Sequence, residues 1–467
     1  MRLNWQDIGA ARAEHADHAT IEIAGFAATV PPMGSAAHFI LVSEPGCCAG
    51  CFPRDRTASV EVFAASSISL RGQSMRLTGI WRVRRDDPSG WRYQLHDARL
   101  LDPPGWTAVT RRGMLAGGPL MCLAACAAAD TPQANSQRQA DARRAIEAAP
   151  AVDIHTHAGG IASTRRMREG GQFSAVAQPM RQSGMAAICL AVVSDGPTHK
   201  VMPDGLIHPY RDPVPGELYQ YAQLAFGRVL DMARDQGFTV IRTAADLRAA
   251  KAGTASAIIS AEGADFLEGN VDRVDEAYAK WSLRHLQLTH YRVNELGDIQ
   301  TEPPVHGGLT DIGAEVIRRC NRTGVVVDVA HGTYELVHRA ASVTTKPLVL
   351  SHTSFDVNPG RYSRRISAAH ARLVASTGGV IGVWPPAAYF PTLTALATGM
   401  ARMVDIAGVD HVGLGTDMSG LVGPSIFPDY GQLPGLAEAL IEVGFNVPDT
   451  TKLLGGNYAR VFAASMG

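Results

Sequence analysis

Ala151-Val152-Asp153-Ile154-His155-Thr156-His157 is the stretch on which the reading of this chain turns. A short apolar run ends in an aspartate and then in two histidines one residue apart. Side chains alternate along a strand, so His155 and His157 project from the same face. The same grammar recurs downstream, in apolar runs at 151–155, 186–193, 255–261, 283–290, 325–331, 348–352, 379–384 and 411–417. Amphipathic helical patterns lie between them at 216–236, 271–281, 311–322, 334–342, 368–376 and 393–407, and 433–443 and 457–464 close the series. Eight buried-strand signals alternating with helices predict an α/β fold, a (β/α)8 TIM barrel. Continuous rather than alternating apolar runs fit parallel strands covered on both faces.

The ends of those runs carry the chemistry. After His155 and His157 come Glu262 at strand three, His290 at strand four, His331 at strand five, His352 at strand six and Asp417 at strand eight. In a TIM barrel the C-terminal strand ends open into one bowl, where active sites are built. Imidazole and carboxylate suit Zn²⁺ and similar cations. One strand-end histidine is ordinarily a hydrogen-bonded core residue, and one strand-end acid is ordinarily a helix cap. Five of eight strands delivering His or Glu, and a sixth delivering Asp, point instead to a metal-dependent hydrolase.

Composition bounds the rest. At 467 residues, 46% of them hydrophobic, the chain has room for two or three domains. Its 43 basic and 44 acidic side chains leave a net charge of −1, which excludes a basic field for nucleic acid. Seven irregularly spaced cysteines exclude a disulfide scaffold. Of 16 histidines, 12 lie between residues 155 and 411, which locates the chemistry in the barrel, taken as residues 141–467.

Residues 1–103 carry short β-type runs at 20–24, 38–43, 59–64, 75–83 and 92–100, predicting a small all-β, OB-like domain of unassigned function. Its Cys47, Cys48 and Cys51 fit a soft-metal or redox turn, or a tight turn with incidental thiols. Residues 104–140 read as a signal-like apolar segment and linker. Arg111-Arg112-Gly113 precedes sixteen uncharged residues, 114–129, with Leu123-Ala124-Ala125-Cys126 inside. That is the pattern of a twin-arginine or lipoprotein export leader, or else of a buried segment joining two domains. Val109 would serve as a separate start. The barrel is therefore expected to be exported, periplasmic or anchored near Cys126, and cytoplasmic if the internal leader is unused.

Several passages also carry a family resemblance: Ala261-Glu262-Gly263, residues 286–290, Gly307-Gly308-Leu309-Thr310, residues 328–331, Ser351-His352-Thr353-Ser354 and residues 410–417. In order and spacing the chain resembles the membrane dipeptidase (renal dipeptidase) family of zinc metallopeptidases. The resemblance implies two Zn²⁺ ions per chain, with His155 and His157 at the first, His331 and His352 at the second, and Glu262 bridging both. It implies that His290 contacts the substrate carbonyl and stabilises the oxyanion, and that Asp417 handles the proton and binds the substrate amine. Arg365 matches the arginine that grips the substrate's C-terminal carboxylate, with Arg361 a nearby competitor. One departure stands out: the family usually has His-x-Asp where this chain has His155-Thr156-His157. One carboxylate fewer leaves the centre more positive, which acidifies bound water and weakens retention of one metal. Trp384-Pro385-Pro386 also stands where the family often has an Asn-containing segment.

The expected function is a binuclear zinc dipeptidase that hydrolyses dipeptides with a metal-activated hydroxide. The alternatives are another amidohydrolase acting on a cyclic amide, lactam or lactone, favoured if Arg365 turns away from the metals, and a non-catalytic metal-binding barrel. Expected partners are a dipeptide-like substrate and a second copy of the chain in a homodimer.

Overall fold

In this computed structural model the described residues are 3, 5, 7, 8, 11–28, 35–42, 59–69, 75–84, 92–101 and 132–466. The chain divides into two compact units, Met1–Ala124 and Ala125–Gly467. Cys47, Cys48, Cys51 and the leader-like residues 111–126 lie outside the described residues.

In the first unit, β1 (Thr20–Ala28), β2 (Ser35–Val42), β3 (Val60–Ser69), β4 (Met75–Val83) and β5 (Tyr93–Leu101) close a barrel in the order β1-β2-β3-β5-β4. Only the β3–β5 pair is parallel, the arrangement of a five-stranded Greek-key barrel and thus of the expected OB-like domain. Alternation drives it: along β4, buried Met75, Leu77 and Trp81 face an interior also filled by Ile21, Ile23, Leu41 and Tyr93. Trp81 stacks on Tyr93 at 5.3 Å and donates its indole N–H to the Ala13 carbonyl at 2.9 Å, so its one polar atom is satisfied.

The second unit adds β6 (Ala151–Thr156), β7 (Met185–Val193), a hairpin of β8 (His199–Val201) and β9 (Ile207–Pro209), and β10 (Thr239–Val240). It continues with β11 (Ser256–Glu262), β12 (Leu283–Gln287), β13 (Val326–Asp328), β14 (Val349–Thr353), β15 (Val380–Val383) and β16 (Val412–Leu414). Strands β6, β7 and β11–β16 form a closed, all-parallel barrel: β16 pairs with β6 through Leu414↔Asp153, and β7 pairs with both β6 and β11. These are the eight strands expected from the apolar runs. Helices start where side chains satisfy orphan backbone donors: Thr310, Thr333, Ser367 and Thr392 each accept a bond from the third residue onward. Among the described residues, no helix is long and apolar enough to cross a membrane.

Two details differ from expectation. The last part of the expected linker, from Pro132, is helical: it opens helix Pro132–Ala148, which runs into the expected barrel range, where its Ala142, Ala145 and Ile146 are buried. Several strands also stop short: β12 ends at Gln287, β13 at Asp328 and β16 at Leu414, leaving His290, His331 and Asp417 in the turns beyond. His331 (φ 67°) and Asp417 (φ 48°) are left-handed, a conformation that costs a non-glycine residue energy and is typical of functional sites.

Candidate metal centre

Glu262, the last residue of β11, is the hub of the barrel mouth. Its Oε1 lies 3.3 Å from His155 Nε2, 3.3 Å from His331 Nε2 and 3.4 Å from His352 Nε2. Its Oε2 lies 3.0 Å from His157 Nε2 and 3.2 Å from His290 Nε2. Asp417 Oδ1 is 3.4 Å from His157 Nε2 and 4.0 Å from His155 Nε2. All of these side chains are buried. Gly420 packs so close to Asp417 and His157 that a Cβ there would collide with both.

The far nitrogens of four of the five rings, His331 excepted, explain their orientation. His157 Nδ1 donates to the Ala191 carbonyl at 2.8 Å. Ser351 Oγ serves two rings, His352 Nδ1 at 2.9 Å and His155 Nδ1 at 3.3 Å. His290 Nδ1 donates to Asp195 Oδ1 at 2.7 Å. Such outer partners fix which nitrogen faces inward. Beneath them, Asp153 accepts from Thr416 N (2.8 Å), Thr416 Oγ1 (2.5 Å) and Tyr430 Oη (2.9 Å), locking β6 to the turn that carries Asp417. Asp328 accepts from Ala330 N (2.9 Å) and Ser351 N (3.1 Å), locking the turns of His331 and His352.

Whether a cation fits can be asked of the donors alone. His155 Nε2 and His157 Nε2 lie 3.3 Å apart, and His331 Nε2 and His352 Nε2 lie 3.0 Å apart. In either pair two inward lone pairs face each other unless one ring is protonated, whereas a cation satisfies both. Burial drives the His331 and His352 imidazoles well below their usual value, so both are neutral and offer lone pairs. Burial also opposes charge on His155, yet Glu262 and Asp417 raise it to about 9, a measure of how strongly this spot draws positive charge. Burial likewise opposes charge on Glu262, but His290, His155 and His157 hold its carboxyl well below the usual range. A buried, ionised carboxylate ringed by oriented imidazoles is a donor set that suits zinc.

Above the cluster lies a cavity of about 280 Å³, lined on one side by His157, Glu262, His290, His331 and Asp417. Tyr291, Trp384, and His199, Lys200 and Ile207 of the β8–β9 hairpin line the rest. The expected ligand and acid/base residues therefore all converge. Arg365 does not join them: its guanidinium pairs with Asp356 at 2.6 Å and lies over the Tyr389 ring. The guanidinium that faces the cluster is Arg364, half-buried, bonded to Gln300 Oε1 at 2.7 Å and within the electrostatic reach of Tyr291, Glu262 and Asp417. Nothing in an Arg-Arg pair tells which member turns inward. Asp195 and His199 were missed as well, although Asp195 stands two residues beyond the second apolar run, where the strand-end rule would have found it.

Fold and mouth together define a parallel (β/α)8 barrel with a candidate metal centre at the C-terminal ends of its strands. The family model described as "Membrane dipeptidase (Peptidase family M19)" matches residues 133–466. The chain belongs to that family. Among curated proteins it is similar to Dipeptidase aclJ of Aspergillus oryzae, 29% identical over 219 residues, which are 45% of this chain and 51% of that protein. Dipeptidase tcpJ of Claviceps purpurea is 25% identical over 249 residues, 50% of this chain and 56% of that protein. The chain thus spans about half the length of the curated relatives it matches. Among solved structures, a metallopeptidase from Rhodobacter sphaeroides liganded with a phosphinate mimic of the dipeptide L-Ala-D-Ala superposes with a TM-score of 0.58 at 21% identity, covering 68% of this chain and 99% of that one. The probable dipeptidase PvdM of Pseudomonas aeruginosa gives 0.58 at 18% identity, covering 72% and 99%. At these identities the two structures establish the shared fold.

Proposed function

We propose that this chain is a zinc-dependent dipeptidase, and the observation that carries the reading is the convergence of five imidazole Nε2 atoms on the single buried carboxylate of Glu262. His155 and His157 would hold one ion, His331 and His352 the other, with Glu262 between them. When bound, the cations supply an acidified water and polarise the scissile carbonyl. The protein's own groups do the rest. His290 offers Nε2 to the carbonyl oxygen as negative charge builds there. Asp417 takes the proton from the attacking water and returns it to the leaving amine. Arg364, rather than Arg365, offers the cation for a substrate's C-terminal carboxylate. Trp384 and Ile207 give the cavity apolar lining beside the polar cluster.

A panel of L,L and L,D dipeptides, run beside elemental analysis of protein purified without chelator, tests this reading. Hydrolysis that scales with zinc content, up to two ions per chain, supports it, and a zinc-loaded protein inert on the whole panel sinks it. The pairing of Arg365 with Asp356 keeps one rival alive, an amidohydrolase acting on a cyclic amide, lactam or lactone. Comparing free dipeptides with their C-terminal amides separates the two, because only a dipeptidase that grips the carboxylate discriminates strongly. From the pattern at residues 111–126 alone, we also propose that the barrel is exported. N-terminal sequencing of the native protein checks this, and chains beginning only at Met1 in the cytoplasmic fraction would eliminate it.

A further inference from the structure

Behind His290 lies a carboxylate that the proposed chemistry does not use. The turn after β7 is tied to the end of β11: Ser194 N donates to the Glu262 carbonyl at 3.0 Å, and Ser194 Oγ donates to the Gly263 carbonyl at 2.6 Å. That anchoring sets Asp195, fully buried, directly behind the His290 ring. Asp195 Oδ1 accepts from His290 Nδ1 at 2.7 Å, and Oδ2 accepts from Tyr291 N at 3.1 Å, so both oxygens are engaged and the carboxylate cannot swing. His199 Nδ1, from the β8–β9 hairpin, stands 3.3 Å from the same Oδ1, with its ring edge-on to His290 at 5.0 Å. A carboxylate only accepts, so the hydrogen in the short contact belongs to the imidazole. Nδ1 is thereby occupied, and Nε2, 3.2 Å from Glu262 and lining the cavity, is the nitrogen left for a substrate.

We propose that Asp195 is a positioning residue for His290, pinning the ring by its Nδ1–H so that Nε2 addresses the substrate carbonyl. The inference rests on the dipeptidase reading for its kinetic consequence but not for its geometry. Asp195, His199 and His290 also offer atoms close enough to share a cation. The 2.7 Å contact is a hydrogen bond, however, and metal analysis of the variants separates the two arrangements.

The experiment compares zinc-loaded wild type, Asp195→Asn, His290→Ala and the double variant on a dipeptide that the wild type hydrolyses. Asp195→Asn lowers kcat by about 10–100-fold, the usual cost of losing an outer partner of a working histidine, at unchanged zinc stoichiometry. KM moves by less than about threefold, because ground-state binding is spared. In the His290→Ala background the same substitution adds less than about twofold, since the two residues act as one unit. Independent, multiplying losses overturn the proposal, and so does zinc lost in step with kcat. A second measurement needs no turnover: ¹⁵N NMR of histidine-labelled wild type, with the His290 signals identified by their absence in folded His290→Ala. A protonated Nδ1 is expected, and an unprotonated Nδ1 overturns the proposal. A wild type that hydrolyses no dipeptide refutes the function above while leaving this measurement to decide the inference.

Discussion

The interior of the (β/α)8 barrel and its mouth each bury a histidine against an aspartate, five residues apart in sequence, to different ends. Inside, His285 of β12 donates from Nε2 to Asp328 at 3.1 Å, and its Nδ1 lies 2.9 Å from Tyr458 Oη. The Tyr458 ring stacks on it among Val152, Ile154, Val326 and Phe462. Both ring nitrogens are consumed by the protein. At the mouth, His290 spends Nδ1 on Asp195 and turns Nε2 toward Glu262 and the cavity. Burial and a carboxylate partner do not distinguish a working histidine from a structural one. The nitrogen kept for the cavity does.

The comparison breaks most visibly at the hub. Glu262→Gln removes the charge shared by five rings, and is expected to lose bound zinc together with more than about 10⁴-fold in activity, beyond what acid/base work alone is worth. Asp417→Asn lowers kcat by about 10²–10⁴-fold while zinc content stays near normal, since its role is proton handling. An equal loss of zinc would make Asp417 a ligand.

The two histidines themselves supply the sharpest contrast. His290→Ala costs about 10²–10³-fold in kcat, the loss typical of one oxyanion donor. His285→Ala leaves Asp328 Oδ2 buried without its imidazole partner, and is expected to cost about 1–3 kcal/mol in denaturant melts. If the two variants exchanged phenotypes, the distinction between interior and mouth would fall. Arg364→Ala is expected to weaken dipeptides more than their C-terminal amides, whereas Arg365→Ala treats both alike.

The smallest effect sharpens the rule with a third case. His370 is buried with no carboxylate beside it, and its Nε2 has no hydrogen-bond partner among the described residues. Burial, with Arg364 nearby, pushes it down to about 4. Its pKa is lower folded than unfolded, so protonation favours the unfolded chain, and stability declines as pH falls from about 6.5 toward 4. His370→Leu should flatten that decline in melts between pH 7 and pH 4.5, and an unchanged slope would show that other groups cause it.

Much of this was legible in the residues. The helix at 393–407 matched its apolar period to the residue, because an amphipathic stripe is a local property of spacing. The ligand set was legible because His155, Glu262 and His352 lie at strand ends and His157 one residue beyond, and barrel topology sends every strand end to one place. His290, His331 and Asp417 were found in the right order but on the wrong element. They sit in turns, two of them left-handed, and an apolar run does not announce where the ladder stops.

What the sequence by itself determined is therefore the barrel, the β-rich first unit and the inventory of imidazoles and carboxylates at the strand ends, all readable from one-dimensional period and order. The tertiary structure alone decided that Arg364 and not Arg365 turns inward, that Ser351 serves two rings, and that Asp195 stands behind His290. Each of these is a pairing between distant segments, 95 residues apart for Asp195 and His290 and 196 for His155 and Ser351. Such pairings exist only once barrel closure fixes the strands side by side, and no local pattern of residues encodes them.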